Sequence, residues 1–114
     1  MNFKALLIAA NFAILTLGAQ TTNLKKETFK VYGNCGMCKN KIENCLKEND
    51  GIVFRKYDIK GQMLEVKYDP KKITIKEIGQ KVANVGYDNQ YATASDENYN
   101  NLHQCCQYNR PATN

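Results

Sequence analysis

A strand pattern leads directly into a cysteine loop and a helix pattern at residues 29–46, which read FKVYGNCGMCKNKIENCL. Phe29 and Val31 alternate with Lys30 and Tyr32. This period of two is typical of a half-buried strand. A glycine–asparagine pair then breaks the strand. From Cys38 onward, apolar residues recur at i, i+4, i+7 and i+8, which predicts a core-facing helix at residues 38–48.

The residues after this helix predict a hairpin and a second helix. Segments 52–59 and 63–68 are rich in β-branched and aromatic side chains and flank a short turn, so they predict two paired strands. Apolar residues at helical spacing follow at 74–85, where Thr74 is a candidate N-cap and Gly86 is placed to end the helix.

A last strand is predicted at residues 87–93, which completes the order βαββαβ. This order predicts an α+β, ferredoxin-like domain, with two helices on one face of a four-stranded antiparallel sheet. We assign the domain to residues 27–94. Residues 95–114 are polar and rich in asparagine, so we expect an irregular tail that carries cysteines.

The N-terminus has the features of an export signal. Lys4 precedes an apolar run at residues 5–18, and small residues follow it, so we predict a signal peptide at 1–19 and a linker at 20–26. An uncleaved anchor is the alternative, but the run is short against the roughly 20 residues that span a bilayer. We therefore expect an exported, periplasmic protein without stable membrane insertion after cleavage.

The cysteine pattern favours chelation or thiol redox chemistry over disulfide staples. An odd number of cysteines cannot be fully paired within one chain, and four of the five form two tight pairs, whereas staples usually join distant segments. The five are Cys35, Cys38, Cys45, Cys105 and Cys106.

The motif Cys35-Gly36-Met37-Cys38 is the strongest candidate metal site. Two thiols separated by two residues can converge on one ion, and a helix N-terminus favours the thiolate form. Thiolates are soft ligands that select Cu(I), Zn(II) or similar ions. Zinc prefers four ligands, so we rank Cu(I) first, with Hg(II) and Zn(II) as alternatives.

These residues also resemble a known family. The resemblance rests on VYGNCGMC at 31–38 and on Ile42-Glu43, Gly51-Ile52, VKYDP at 66–70, Ile78 and Gly86-Tyr87-Asp88. This pattern is similar to the heavy-metal-associated domain of copper chaperones, metal-transporting ATPase modules and periplasmic mercury-binding proteins, particularly their exported bacterial members. The usual family loop is G-M-T/H-C-x-x-C, whereas this chain has its methionine between the two cysteines.

The resemblance implies a metal-binding role for the Cys35–Cys38 motif and suggests which partners would exchange the metal with it. Cys35 and Cys38 would bind the ion. The partners would be the metal ion itself and a metal-transporting membrane protein or another thiol-rich carrier. The C-terminal sequence also resembles a tail found on some exported bacterial members.

Further candidate ligands lie in that tail. Cys105 and Cys106 could form a second thiolate pair, a strained vicinal disulfide or a bond to another chain, and His103 is either a ligand or a solvated residue. The tail also contains residues that could anchor it to the domain through apolar contacts, namely Tyr99, Leu102 and Tyr108. We therefore predict that the tail thiols cooperate with the main pair.

Three other residues have two interpretations each. Cys45 lies on the apolar stripe and is better explained as core filling than as a ligand. Met37 could offer a thioether, although core packing is the expected role. Tyr87 could tune thiol exposure or only cap the core.

The function that these patterns favour is a metal carrier or scavenger and not an enzyme. A thiol–disulfide oxidoreductase is the alternative, because Cys-Gly-x-Cys before a helix also occurs in thioredoxins. The chain has no tryptophan, and its predicted strand order differs from that of such enzymes. The net charge of +5 is scattered, so it does not indicate nucleic-acid binding.

Overall fold

The computed structural model describes residues 23–112. The predicted signal peptide therefore lies outside the described residues. The helices and strands are β1 (Lys25–Lys30), α1 (Gly36–Asn44), β2 (Ile52–Asp58), β3 (Met63–Tyr68), α2 (Ile75–Asn84) and α3 (Asp96–Asn100), with short 3-10 turns at Glu48–Asp50 and Gln104–Cys106. Within the described part of the chain, no helix has the length and apolar character needed to cross a membrane.

The sheet is antiparallel with β3 at its centre, in the order β1-β3-β2. Leu64 of β3 lies opposite Phe29 of β1 and Tyr57 of β2, and all three side chains are buried. The hairpin of β2 and β3 is confirmed. Because side chains alternate along a strand, these three lie on the sheet face that packs against the helices.

The predicted fourth strand is wrong. Among the described residues the sheet has three strands, and the last segment forms only an isolated antiparallel bridge between Val31 and Asn89. The Asn89 side chain accepts hydrogen bonds from the backbone N–H groups of Tyr91 and Ala92. These local bonds turn the chain back at Asn89 and compete with continued pairing to β1.

Helix α1 begins two residues earlier and ends four residues earlier than predicted. Its buried residues are Cys38 and Ile42, and Leu46 is buried just beyond its C-terminus. The carboxylate of Glu43 accepts hydrogen bonds from the Tyr57 backbone N–H at 2.7 Å and from the Lys39 amine at 2.5 Å. The Lys39 amine also donates to the Tyr57 carbonyl at 2.9 Å, so the bonds to Tyr57 attach α1 to β2.

Helix α2 begins as predicted. The Thr74 hydroxyl accepts from the Glu77 backbone N–H, and the Glu77 carboxylate accepts from the Thr74 backbone N–H, which forms a complete capping box. After α2 the chain passes through Gly86 with a φ of 110°. This left-handed backbone favours glycine. A β-carbon here would also lie 2.8 Å from the Leu102 side chain.

The C-terminal tail is ordered, contrary to the prediction of an irregular segment. Ser95 caps α3 by accepting from the Asn98 backbone N–H. Leu102, Cys106 and Tyr108 are buried and belong to the same apolar cluster as the sheet and helices. The tail therefore adds a third helix and a further layer of packing to the ferredoxin-like α+β plan.

Candidate metal centre

The first thiol pair lies at the start of α1. Cys35 is the N-cap residue in extended conformation, and Cys38 occupies the first turn. Their Sγ atoms are 3.4 Å apart. Cys35 is half-buried and Cys38 is buried, and the Cys38 thiol donates to the Asn34 side-chain oxygen at 3.3 Å. One helical turn therefore brings the two predicted ligands together.

The loop before the pair depends on a close backbone approach. A β-carbon at Gly33 would lie 3.0 Å from the Tyr57 hydroxyl and 3.4 Å from the Cys38 β-carbon. The Tyr57 hydroxyl donates to the Val31 carbonyl at 2.6 Å, and the Gln62 amide donates to the Gly33 carbonyl at 2.7 Å. Glycine suits this position because a side chain would press against the Tyr57 hydroxyl.

The Cys35 thiol is the one best prepared to ionise. Burial alone would raise its pKa, but the backbone N–H and thiol of Cys38, the Cys106 thiol and the Met37 backbone N–H together lower the pKa to about 7. A thiolate is the form that binds soft metals. If Cys35 binds an ion, its thiolate is therefore available near neutral pH at little cost in deprotonation.

The tail brings further thiols to the same place. The Cys106 Sγ lies 3.5 Å from the Cys35 Sγ, and the Cys105 Sγ lies 3.9 Å from the Cys106 Sγ. The sulfurs of Cys35, Cys105 and Cys106 are all within 4.8 Å of one another. Burial raises the pKa of Cys106, and the neighbouring thiols raise it further. His103 is exposed and lies outside this cluster.

Aromatic residues hold the tail against the domain. The Tyr108 hydroxyl accepts from the Asp88 backbone N–H and donates to the Gly86 carbonyl, each at 2.8 Å. Its ring stacks on the Tyr87 ring with centroids 5.7 Å apart. It also packs edge to face with the Tyr99 ring, with centroids 5.0 Å apart. The predicted anchors Tyr99 and Tyr108 thus pack in the tail's interface with the domain.

A buried ion pair is the second tail anchor. The guanidinium of Arg110 donates to both carboxylate oxygens of Asp88, at 2.8 and 3.0 Å, and to the Ala94 carbonyl at 2.6 Å. Asp88 is only 2% exposed. Burial alone would raise the pKa of Asp88, but hydrogen bonds from Arg110 and from the Ala94 backbone N–H hold it below its usual value.

Sequence reasoning missed this pair. Asp88 belongs to the Gly86-Tyr87-Asp88 motif, which was a signal that the position matters. Arg110 lies in a polar segment without periodicity, and nothing in the neighbouring sequence indicates a carboxylate 22 positions away.

Tyr87 lies beside the thiols with an unused donor. Its side chain is 0% exposed, and its hydroxyl has no hydrogen-bond partner among the described residues. Burial raises the pKa of this hydroxyl, and the thiols of Cys38 and Cys106 raise it further. A buried donor without an acceptor is costly, and a thiolate at either cysteine would supply one.

Met37 is exposed, and Cys45 lies outside the thiol cluster. Core packing was the wrong expectation for Met37, whose side chain is 43% exposed beside the loop. Cys45 is half-buried against the core, and its thiol donates to the Ile42 carbonyl at 3.1 Å. Burial raises the pKa of Cys45 to about 11, so this thiol stays protonated at neutral pH.

Comparison with known proteins identifies the family. The heavy-metal-associated domain matches residues 28–88. The copper chaperone CopZ of Staphylococcus aureus (strain bovine RF122 / ET3-1) is 27% identical over 66 residues, which cover 57% of this chain and 97% of that protein. A metal-binding family does not favour the oxidoreductase alternative.

Solved structures support the fold. The N-terminal domain of a potential copper-translocating P-type ATPase from Bacillus subtilis, in the Cu(I)-loaded state, superposes with a TM-score of 0.56 at 24% identity, over 65% of this chain and 94% of that one. Oxidized MerP from Ralstonia metallidurans CH34 gives 0.56 at 17% identity, over 60% and 96%. With the family match over residues 28–88, the chain belongs to the heavy-metal-associated domain family.

Proposed function

We propose that this protein is an extracytoplasmic carrier that binds one Cu(I) ion through Cys35 and Cys38. The observation that carries the proposal is the pair of thiols 3.4 Å apart on the first turn of α1. Two thiolates bound to one ion by bonds of about 2.3 Å must lie within about 4.6 Å of each other. The pair therefore needs little rearrangement to bind.

The choice of ion rests on ligand chemistry. The cluster contains sulfur donors, which are soft and favour Cu(I) over hard cations. The lowered pKa of Cys35 makes a thiolate available near neutral pH. The similarity to the copper chaperone of Staphylococcus aureus supports copper, and Hg(II), another soft ion, is the alternative cargo.

A carrier must also release its ion. Cys35 is half-buried and Met37 beside it is exposed, so the loop is open to an incoming ligand. Exchange between thiolates proceeds through shared coordination, so the acceptor we propose is a thiol-rich site on a metal-transporting membrane protein or on another carrier. The apolar run at residues 5–18 supports delivery outside the cytoplasm.

The binding test compares three forms of the protein, all reduced and handled without oxygen. Wild type is titrated with Cu(I) in competition with a colourimetric chelator, and we expect one tightly bound ion per chain. Cys35→Ser with Cys38→Ser should abolish that binding. Cys45→Ala is the matched control and should leave affinity unchanged. Retained affinity in the double variant would overturn the assignment.

Two further measurements address the remaining parts of the proposal. An insulin-reduction assay should show no turnover, whereas catalytic reduction would favour the oxidoreductase. Mass spectrometry of the protein from its native compartment should find a chain that begins near Gln20, and an intact N-terminus would argue against export with cleavage.

A further inference from the structure

The C-terminal tail contains a thiol, that of Cys106, which contacts Cys35 of the first pair. Cys106 is 0% exposed, and its Sγ lies 3.5 Å from the Cys35 Sγ. The Cys38 thiol faces the Cys106 carbonyl at 3.9 Å. Cys35 is thus in contact with one sulfur from its own helix turn and with another from a segment 71 positions away.

These distances suit a shared ion. Sulfurs that bind one ion with bonds of about 2.3 Å can be separated by at most about 4.6 Å. Both sulfur contacts of Cys35, at 3.4 and 3.5 Å, satisfy this limit. The group of sulfurs within 4.8 Å of one another is Cys35, Cys105 and Cys106, so Cys38 and Cys106 must close on the ion for both to bind it. From this geometry we infer that Cys106 is a third thiolate ligand, and that the tail is a latch which turns an open two-thiolate site into an enclosed three-thiolate site.

The latch is held from both sides of Cys106. Before it, Leu102 packs against Gly86, and the Cys106 backbone N–H donates to the His103 carbonyl at 2.8 Å. After it, the Tyr108 hydroxyl bridges two backbone groups of the domain. The sulfur is therefore positioned by the fold before any ion arrives, which removes the cost of ordering a flexible ligand.

The unused hydroxyl of Tyr87 points to the same site independently. It is fully buried without a hydrogen-bond partner among the described residues, and the thiols of Cys38 and Cys106 raise its pKa, which indicates that they lie nearby. A thiolate held there by a metal would accept its proton in a hydrogen bond. The site as a whole is then arranged for sulfur in its anionic, metal-bound form.

The consequence concerns release. A third thiolate increases the number of bonds that an acceptor must displace, so the ion leaves more slowly. This inference rests on the proposed function, and it moves the protein from rapid delivery toward retention. Cys105 is exposed at the rim, with its Sγ 3.9 Å from that of Cys106, and provides a neighbouring thiol of contrasting burial.

The direct test counts sulfur atoms around the bound ion. The full chain is reduced, loaded anaerobically with one equivalent of Cu(I), and measured by X-ray absorption at the copper edge. We expect three sulfur neighbours in wild type and two in Cys106→Ser. Two sulfur neighbours in wild type would overturn the inference. Because this outcome is measured on wild type alone, it decides the question even if the Cys106→Ser variant folds poorly.

Affinity and transfer provide the second readout. Cys45→Ser is the matched control, because its thiol lies outside the cluster, and Cys105→Ser is the comparison within the cluster. Cys106→Ser should weaken Cu(I) binding and speed transfer to a chelator, each by at least about tenfold, because even outer-shell partners of a metal contribute 10- to 100-fold. Cys105→Ser should retain three sulfur neighbours and change affinity much less. Equal losses in Cys106→Ser and Cys105→Ser would refute Cys106 as the third ligand, and an equal loss in Cys45→Ser would show that the effect is not specific to the site.

The two proposals fail in different ways. If Cys35→Ser with Cys38→Ser still binds Cu(I) tightly, the proposed function is wrong. If that double variant loses binding while Cys106→Ser matches wild type in sulfur count, affinity and transfer rate, the carrier function stands and the latch is wrong.

Discussion

Cys35 and Cys38 are brought together by local structure, whereas Cys105 and Cys106 reach the same point through long-range packing. The first pair needs only a strand end, a glycine and one turn of α1. The tail pair depends on a stacked tyrosine and a buried ion pair. Two pairs with similar chemistry therefore differ in what can disrupt them. Loss of a distant anchor should affect the tail thiols and spare the loop thiols.

The strongest test of this difference removes the tail's charged anchor. Arg110→Ala leaves the Asp88 carboxylate buried without its cation, which should lower the free energy of unfolding by about 3 kcal/mol. Alkylation of Cys106 should become much faster, while the Cys35–Cys38 pair still binds Cu(I). Urea unfolding and peptide mapping after alkylation measure both effects.

The matched control is Lys76→Ala, which removes an exposed cation from α2 and should change neither quantity. If Arg110→Ala left Cys106 as protected as in wild type, the ion pair would not be the anchor of the tail.

Acid should loosen the same anchor. The folded-state pKa of Asp88 is held below the ordinary value of about 3.9, mainly by Arg110 once the opposing effect of burial is overcome. The stabilisation is therefore complete above the ordinary pKa and is lost as pH falls from there through the folded-state pKa. Unfolding free energy, measured by urea titration across this range, should decrease with falling pH.

Asp88→Asn provides the comparison for the acid effect. It cannot ionise, so its unfolding free energy should depend less steeply on pH in this window than that of wild type. Equal slopes would show that other carboxyl groups account for the acid sensitivity.

A smaller effect is expected from the aromatic anchor. Tyr108→Phe keeps the ring but leaves the Asp88 backbone N–H and the Gly86 carbonyl without their partner. Unsatisfied buried groups of this kind cost about 1–3 kcal/mol. Tyr99→Phe removes one half-buried hydrogen bond, to the Tyr108 carbonyl, and should cost less. Thermal unfolding of both variants measures the two losses of stability. A larger loss in Tyr99→Phe than in Tyr108→Phe would contradict this interpretation.

The last prediction requires no substitution. It is a pH titration of thiol reactivity in the metal-free protein. The Cys35 pKa of about 7 should appear as the midpoint of its alkylation rate against pH. Cys45, with a pKa of about 11, should react slowly at neutral pH. Mass spectrometry of the alkylated peptides separates the two sites. A Cys35 midpoint near that of an ordinary thiol, about 8.5, would contradict the proposed activation.

Local patterns predicted most of the domain correctly. The hairpin, both principal helices, the Thr74 cap and the position of Cys35 and Cys38 follow from spacing and turn chemistry within short windows. The fourth strand failed because a strand pattern contains no information about a side chain such as Asn89, which satisfies the backbone locally in place of the sheet.

The sequence by itself determined the order of elements from β1 to α2, the buried apolar face and a thiol pair at a helix start, since each is encoded by residues a few positions apart. Only the tertiary structure decided that the tail folds onto the domain, that Arg110 reaches Asp88, and that Cys106 touches Cys35. These contacts join residues 22 and 71 positions apart. Their formation depends on packing summed over the whole chain, and the periodicity of a short segment contains no information about that packing.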